Sequence, residues 1–452
     1  MTERLRLREK LGYGLGDTAS NFFFHTFNIF LLSYYVDVFG LAAAAVGTMF
    51  LVTKLVDAFT DVGMGMVADR TRSRWGRFRP YILFMALPFG AIGYAMFAGP
   101  ELSADGKLVY AYVTYSAMMV AYTVINIPYS SLMGVMSSSS DERTTLSTYR
   151  FVCAFGAQLL ISGFVIPLKN YLGAGDEARG YQLTMAIFAI ASSALWLVTF
   201  ATTRERVEPP AGQATDLKGD LAVLVKNRPW LVMVAAALFT LMNVAARGGA
   251  TLFFMKYYVD DPDAVVFWIF DRTSIFFLSG TAAMVAGVSA TKLFTQRFDK
   301  RVLMIALTLL NALGLAAFFF IPPDRFGLLL TLNFAATFIV GPTPALVWAM
   351  YADIADYGEH TFGRRTTGLV FSGAMFAQKT GLAIGAGVAG WVLDLYGFVP
   401  NAVQSDDAVL GIRLLFSVFP AILTALAAFV IFFYPLRDRD VERISAELAA
   451  RR

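Results

Sequence analysis

The chain has 452 residues, of which 57% are hydrophobic and 15% charged, with a mean hydropathy of +0.59. Soluble chains run at roughly 45–50% apolar and about 25% charged, so a soluble globular protein is excluded. The 37 Lys and Arg exceed the 33 Asp and Glu by only +4, too little over this length to indicate a nucleic-acid partner. A single cysteine, Cys153, excludes an intrachain disulfide, and with only His25 and His360 beside it a zinc or iron centre is not expected. The first ten residues, MTERLRLREK, are charged, and the apolar stretch after them is too long for a signal-peptide core and contains Asp17; no cleavable leader is expected.

Apolar runs of near-spanning length recur from Gly12 to Pro435, each able to cross a hydrocarbon core of about 30 Å. They predict an all-α polytopic membrane protein. Twelve transmembrane helices are expected, over 12–37, 43–68, 80–99, 108–136, 146–168, 180–202, 229–258, 272–294, 302–322, 326–352, 368–397 and 410–435. The segments between them alternate in charge. One set, including both termini, carries 26 of the 37 Lys and Arg; the other carries five, Lys107, Lys169, Arg179, Arg272 and Arg325. That asymmetry predicts cytoplasmic N- and C-termini.

The longest hydrophilic segment follows the sixth helix and contains Pro209 and Pro210. It predicts an N-terminal six-helix bundle over 1–202, a cytoplasmic linker over 203–228, and a C-terminal six-helix bundle with its tail over 229–452. Asp69, Arg70, Arg77 and Arg79 after helix 2 are echoed by Arg297, Asp299, Lys300 and Arg301 after helix 8. Two halves around a central cavity are a common transporter plan, although any basic cytoplasmic loop produces a similar echo.

Charges inside membrane helices are costly and normally face a cavity or a partner. Helix 2 has three, Lys54, Asp57 and Asp61. The two aspartates are four residues apart and so share a face, with Lys54 one turn earlier. Such a pair is expected to share a proton or hold a cation between the carboxylates; the alternative is a structural tie in which Lys54 neutralises one of them. Asp17 lies in helix 1. In helix 4, Tyr122 and Asn126 share a face, Thr123 sits one turn before Asn126, and Pro128 removes a backbone hydrogen bond nearby. Gln378 and Lys379 fall amid glycines in helix 11, where Lys379 needs an anionic partner, and the helix 2 carboxylates are the obvious candidates. Arg150, at the start of helix 5, suits either interfacial snorkelling or a cavity. Among the aromatics, Trp348 is singled out because Pro342 and Pro344 break its helix and Asp353, Asp356 and Glu359 follow it. An apolar face with polar donors and acceptors suits a sugar ring.

Three stretches carry a resemblance: DAFTDVGMGMVADRTRSRWGRFRPY from Asp57 to Tyr81, the YTVINIPYSSL run of helix 4, and ADIADYGEHTFGRRTTG from Ala352 to Gly368. Together they resemble the glycoside-pentoside-hexuronide:cation symporter family of the major facilitator superfamily, whose best-known member is the melibiose permease. The similarity runs from GYGLGDTASN to GFVPN at 397–401. It implies the major facilitator fold, Asp57 and Asp61 as cation ligands, and an oxygen from Thr123 beside them. By the same resemblance Asp17 falls where the family binds sugar hydroxyls, Arg150 where a cavity arginine assists, and Lys379 where a lysine approaches the cation carboxylates. Asn126 departs from the melibiose permease, which has a third carboxylate there serving both sugar and cation, and Ser130 stands where that protein has a tryptophan.

The expected function is cation-coupled sugar or glycoside import by alternating access. Substrate is assigned to Asp17, Tyr122, Asn126, Arg150, Trp348 and Lys379, and the cation to Asp57, Asp61, Thr123 and Asn126. Proton coupling is favoured slightly over sodium; Asp57, Asp61 and Thr123 are metal ligands only if the ion is sodium. No catalytic residues, no cofactor beyond the coupling ion, no nucleic acid and no obligate protein partner are expected, and the location is a bacterial inner membrane. The alternatives are a lipid or lysolipid carrier on the same scaffold and, more remotely, an intramembrane enzyme.

Overall fold

The computed structural model describes residues 5–137, 140–206, 223–363 and 367–451. Most of the expected linker, residues 207–222, lies outside the described residues, as do Arg364 and Arg365. The chain forms two compact units.

The first unit comprises Met1–Ala211 with Asp263–Leu278 and Val399–Ala402. Its helices are α1 (Leu7–Thr26), α2 (Ala43–Arg70), α3 (Arg79–Ala95), α4 (Ala104–Met136), α5 (Ser140–Gly173) and α6 (Glu177–Thr202). In a bilayer the backbone must satisfy its own hydrogen bonds, which is why long apolar runs become long helices. Side chains close the ends facing water: Ser103 accepts from Gly106 N–H at 3.2 Å, and Asp176 from Arg179 N–H at 3.0 Å. α1 continues beyond Thr26 through two wider π turns, Phe27–Leu31 and Tyr34–Val38. Around the second, Tyr34 packs with Tyr35, Phe39, Phe97 and Tyr181, all buried. A two-stranded antiparallel hairpin, β1 (Val265–Phe267) and β2 (Phe270–Asp271), completes this unit, with Phe270 edge-on to Phe164 of α5 at 5.5 Å.

The turn between α2 and α3 explains part of its sequence. Glu205, just after α6, accepts three successive backbone N–H groups, from Arg77 at 2.9 Å, Phe78 at 2.8 Å and Arg79 at 3.1 Å. A carboxylate at this point also complements the positive end of α3. Gly76 has φ +107°, and a Cβ there would collide with the Glu205 carboxylate, so the turn requires glycine on both counts.

The second unit comprises Gly212–Pro262, Ser279–Phe398 and Val403–Arg452. It contains α7 (Arg228–Tyr257), most of α8 (Arg272–Ser289), the short α9 (Thr291–Thr295), α10 (Lys300–Ala317), α11 (Phe326–Val340), α12 (Thr343–Phe362), α13 (Thr367–Leu395), α14 (Asp406–Arg413), α15 (Phe419–Phe432) and α16 (Asp438–Arg451). A π turn, Leu414–Val418, joins α14 to α15. The expected helix over 326–352 breaks between α11 and α12 at Gly341 and Pro342, then runs on to Phe362, so Asp353, Asp356 and Glu359 lie on helix. Lys300 pairs with Asp353 and lies 3.5 Å from Asp438. α16 buries Ile444 and Leu448 in a cluster with Met350, Ile354 and Val370.

Helices occupy the positions of all the expected segments. Among the described residues seven are long and apolar enough to cross a bilayer by themselves: α4, α5, α6, α7, α10 with its 3₁₀ extension, the joined α11 and α12, and α14 with α15. α2, which bears Lys54, Asp57 and Asp61, is not among them.

Within the second unit, α7 and α13 come into close backbone contact. A Cβ at Gly381 would meet the Leu238 carbonyl oxygen at 2.7 Å, and one at Gly385 would press still closer on the Met242 carbonyl oxygen. Glycines four apart let two backbones touch. The obstacle is backbone, so it cannot swing aside. Gly385→Ala is therefore expected to lower stability by about 1–3 kcal/mol, read as a fall in the unfolding midpoint of the detergent-purified protein; an unchanged midpoint would show that the contact yields.

Candidate functional site

α2 and α4 pack side by side, bringing Thr123 against the helix 2 carboxylates. The Thr123 hydroxyl lies 2.7 Å from Asp57 Oδ1 and 2.8 Å from Asp61 Oδ1. Thr123 is 2% exposed and Asp57 8%. A threonine hydroxyl has one hydrogen and donates it once. With both carboxylates ionised, one of the two oxygen–oxygen contacts would have no hydrogen in it. A proton or a cation is the kind of ligand that such an oxygen cluster can accept. Among the described residues no ion pair joins Lys54 to either aspartate, although Lys54 interacts with Asp57 through space.

A second cluster lies on α1, α4 and α5. Arg150 Nε donates to Asp17 Oδ2 at 2.6 Å, a charge-assisted bond of the stronger kind. The Arg150 guanidinium also lies 5.3 Å from the centre of the Tyr129 ring. That ring is held on its other side by Tyr13, stacked at 4.7 Å, and by its hydroxyl, which donates to the Tyr13 carbonyl at 2.6 Å. Snorkelling of Arg150 to an interface is thus replaced by an inward ion pair. Gly16 makes room: a Cβ there would stand 2.6 Å from Tyr129.

Asn126 faces α1. Its Oδ1 accepts from the Ser20 hydroxyl at 2.9 Å, and its Nδ2 donates to the Tyr122 carbonyl at 3.1 Å. These bonds place it with the Asp17 side of the cluster. Tyr122 packs between Phe24 and Phe89 at 5.9 and 6.4 Å. Asp17, Asp57, Asp61, Tyr122, Thr123, Asn126 and Arg150 all belong to the first unit, whereas Trp348 and Lys379 belong to the second. Trp348 stacks on Phe371 at 5.7 Å and packs against the apolar cluster of its own unit. Lys379 is half-buried in the middle of α13.

Sequence reasoning passed over Ser20 and Asn21. The Asn21 amide donates to the Asp17 carbonyl at 2.8 Å, beside the ion pair. Their signal was present as a polar stripe along α1, Asp17, Ser20, Asn21, His25 and Asn28, at spacings of three, four, eight and eleven from Asp17.

With this geometry established, comparison with known proteins is informative. Residues 12–438 match the family model described as MFS/sugar transport protein. The inner membrane symporter YicJ of Escherichia coli (strain K12) is 34% identical over 454 residues, covering 99% of this chain and 96% of that protein. The isoprimeverose transporter of Lactiplantibacillus pentosus is 32% identical over 450 residues, covering 97% and 91%. The crystal structure of the nucleoside transporter NupG superposes with a TM-score of 0.64 at 16% identity, covering 94% of this chain and all of that one, which is a likeness of fold. Fold, helix content and near-full-length similarity agree: the chain belongs to the MFS/sugar transport protein family and is a membrane transporter, not an enzyme.

Proposed function

We propose that the protein is a cation-coupled symporter that imports a sugar or glycoside by alternating access across a bacterial inner membrane, with both termini in the cytoplasm. The observation that carries this reading is the single hydroxyl of Thr123 between two carboxylates, Asp57 buried and Asp61 half-buried. Relatives named as a symporter and as an isoprimeverose transporter support the class.

In this reading Asp57, Asp61 and Thr123 take the coupling ion. Binding it removes the repulsion between the carboxylates and favours the arrangement of α2 and α4 in which substrate binds. Asp17 and Arg150 form a polar pair for sugar hydroxyls, with Tyr122 and Asn126 beside them. Each ligand favours the other's binding, and the effect is reciprocal. The membrane potential adds about 2.3 kcal/mol per charge per 100 mV to inward movement.

A proton is favoured over sodium. Sodium needs several oxygens at set distances, and Asn126, the position at which a third carboxylate would add charge, is committed to Ser20 and the Tyr122 carbonyl. A proton needs one carboxylate whose neighbour makes the ionised pair unfavourable.

Two outcomes follow, both measured in proteoliposomes with a panel of glycosides and imposed proton or sodium gradients. Asp57→Asn and Asp61→Asn should each reduce gradient-driven accumulation to background while substrate exchange survives; wild-type accumulation by either variant would contradict the ion assignment. Asn126→Asp should create or raise sodium stimulation of uptake. Wild-type uptake that requires sodium at constant pH, without alkalinisation of the medium, would overturn the proton preference and leave symport intact.

A further inference from the structure

Arg247 lies within the apolar stretch of α7, inside the second unit. Its guanidinium is 5.0 Å from the centre of the Phe318 ring and 4.4 Å from that of Phe416. The two rings meet edge to face at 5.2 Å, and Phe416 is stacked on Phe254 at 4.0 Å. The rings hold the cation through their π faces but donate no negative charge. Nε and Nη2 of Arg247 are both buried and have no hydrogen-bond partner, and among the described residues no carboxylate is near enough to offset the charge. A cation buried at membrane depth without a counter-charge is otherwise avoided.

The identity of the unpartnered atoms points to a ligand class. Nε–H and the adjacent Nη2–H lie along one edge of the guanidinium, the edge that binds two oxygens of one carboxylate or phosphate. Water would accept a bond there without balancing the charge, and a halide offers one atom to two donors. One turn earlier on the same face, Asn243 donates through Nδ2 to Thr424 Oγ1 at 2.9 Å, and its Oδ1 is also buried without a partner. That oxygen requires a donor. Arg413, three residues before Phe416, adds a further positive charge beside the π turn: it lies over Phe319 at 4.4 Å, and its Nε too is buried and unpartnered.

We propose that α7, the 3₁₀ turn Phe318–Phe320 and the π turn Leu414–Val418 hold an oxyanion that also bears a hydroxyl, two of its oxygens on the Arg247 edge and its hydroxyl on Asn243 Oδ1. The site is separate from the carboxylate pair on α2 and from Asp17. A free hydrogen phosphate and the headgroup of phosphatidylglycerol share this chemistry.

The test uses the full-length protein, delipidated in a neutral detergent. Inorganic phosphate, phosphatidylglycerol and phosphatidylcholine are each titrated, with the unfolding midpoint and the bound mass by native mass spectrometry as readouts. Wild type should show saturable binding and a raised midpoint with phosphate or phosphatidylglycerol, and none with phosphatidylcholine. Saturation by phosphate alone assigns the site to a solute; a requirement for phosphatidylglycerol assigns it to lipid. Arg247→Gln should weaken the response about tenfold or more, and Arg247→Lys, which keeps the charge but loses the two-donor edge, should fall between. An equal response in Arg247→Gln, or no saturable response in wild type, would overturn the proposal. If Arg247→Gln does not fold, wild-type affinity in Arg247→Lys would overturn it as well.

Discussion

In the first unit a single hydroxyl faces two carboxylates. Thr123 presents a single hydroxyl to the near oxygens of Asp57 and Asp61, at 2.7 and 2.8 Å. Two carboxylates beside one hydroxyl repel each other when both are ionised, and a cation between them would offset that repulsion. In the proposed cycle this is the coupling element: the ion alters the balance of forces between two helices, one of which also carries Tyr122 and Asn126.

Charge is arranged differently a few residues away. Asp17 and Arg150 neutralise each other, and the arginine is steadied by a tyrosine ring that is itself braced by Tyr13. A neutral pair of this kind can exchange hydrogen bonds with hydroxyl groups at little electrostatic cost, which suits an uncharged sugar. Asn126 continues the pattern, because an amide offers both a donor and an acceptor and adds no charge. In the second unit Arg247 has two aromatic faces around it and, among the described residues, no acid close by. Five intramembrane charged groups thus fall into three arrangements: two carboxylates at one hydroxyl, an ion pair and an aromatic enclosure.

Much of this was legible in the sequence. Apolar run length placed the helices, since in lipid only a continuous helix satisfies the backbone, and spacing four apart put Asp57 and Asp61 on one face. What could not be read were partners distant along the chain. Glu205 holds the turn at Arg77 from 128 residues away, and Ser20 finds Asn126 across 106. The π turns of α1 were also hidden, because no glycine or proline marks them in the sequence. Arg247 was visible only as an intrahelical charge; its significance lies in which of its nitrogens are left without a partner.

The most direct test of the site at this hydroxyl is Thr123→Val, which keeps the shape of the side chain and removes its hydroxyl. Substrate affinity of the purified protein would be titrated against sodium at fixed pH and against pH without sodium. A hydrogen bond to a charged group contributes about 1.5–3 kcal/mol, so the cation dependence should shift by about tenfold or more. Substrate affinity at saturating cation should be retained. An unshifted cation dependence, or an equal loss of both affinities, would contradict the assignment of Thr123, Asp57 and Asp61 as one ion-binding unit.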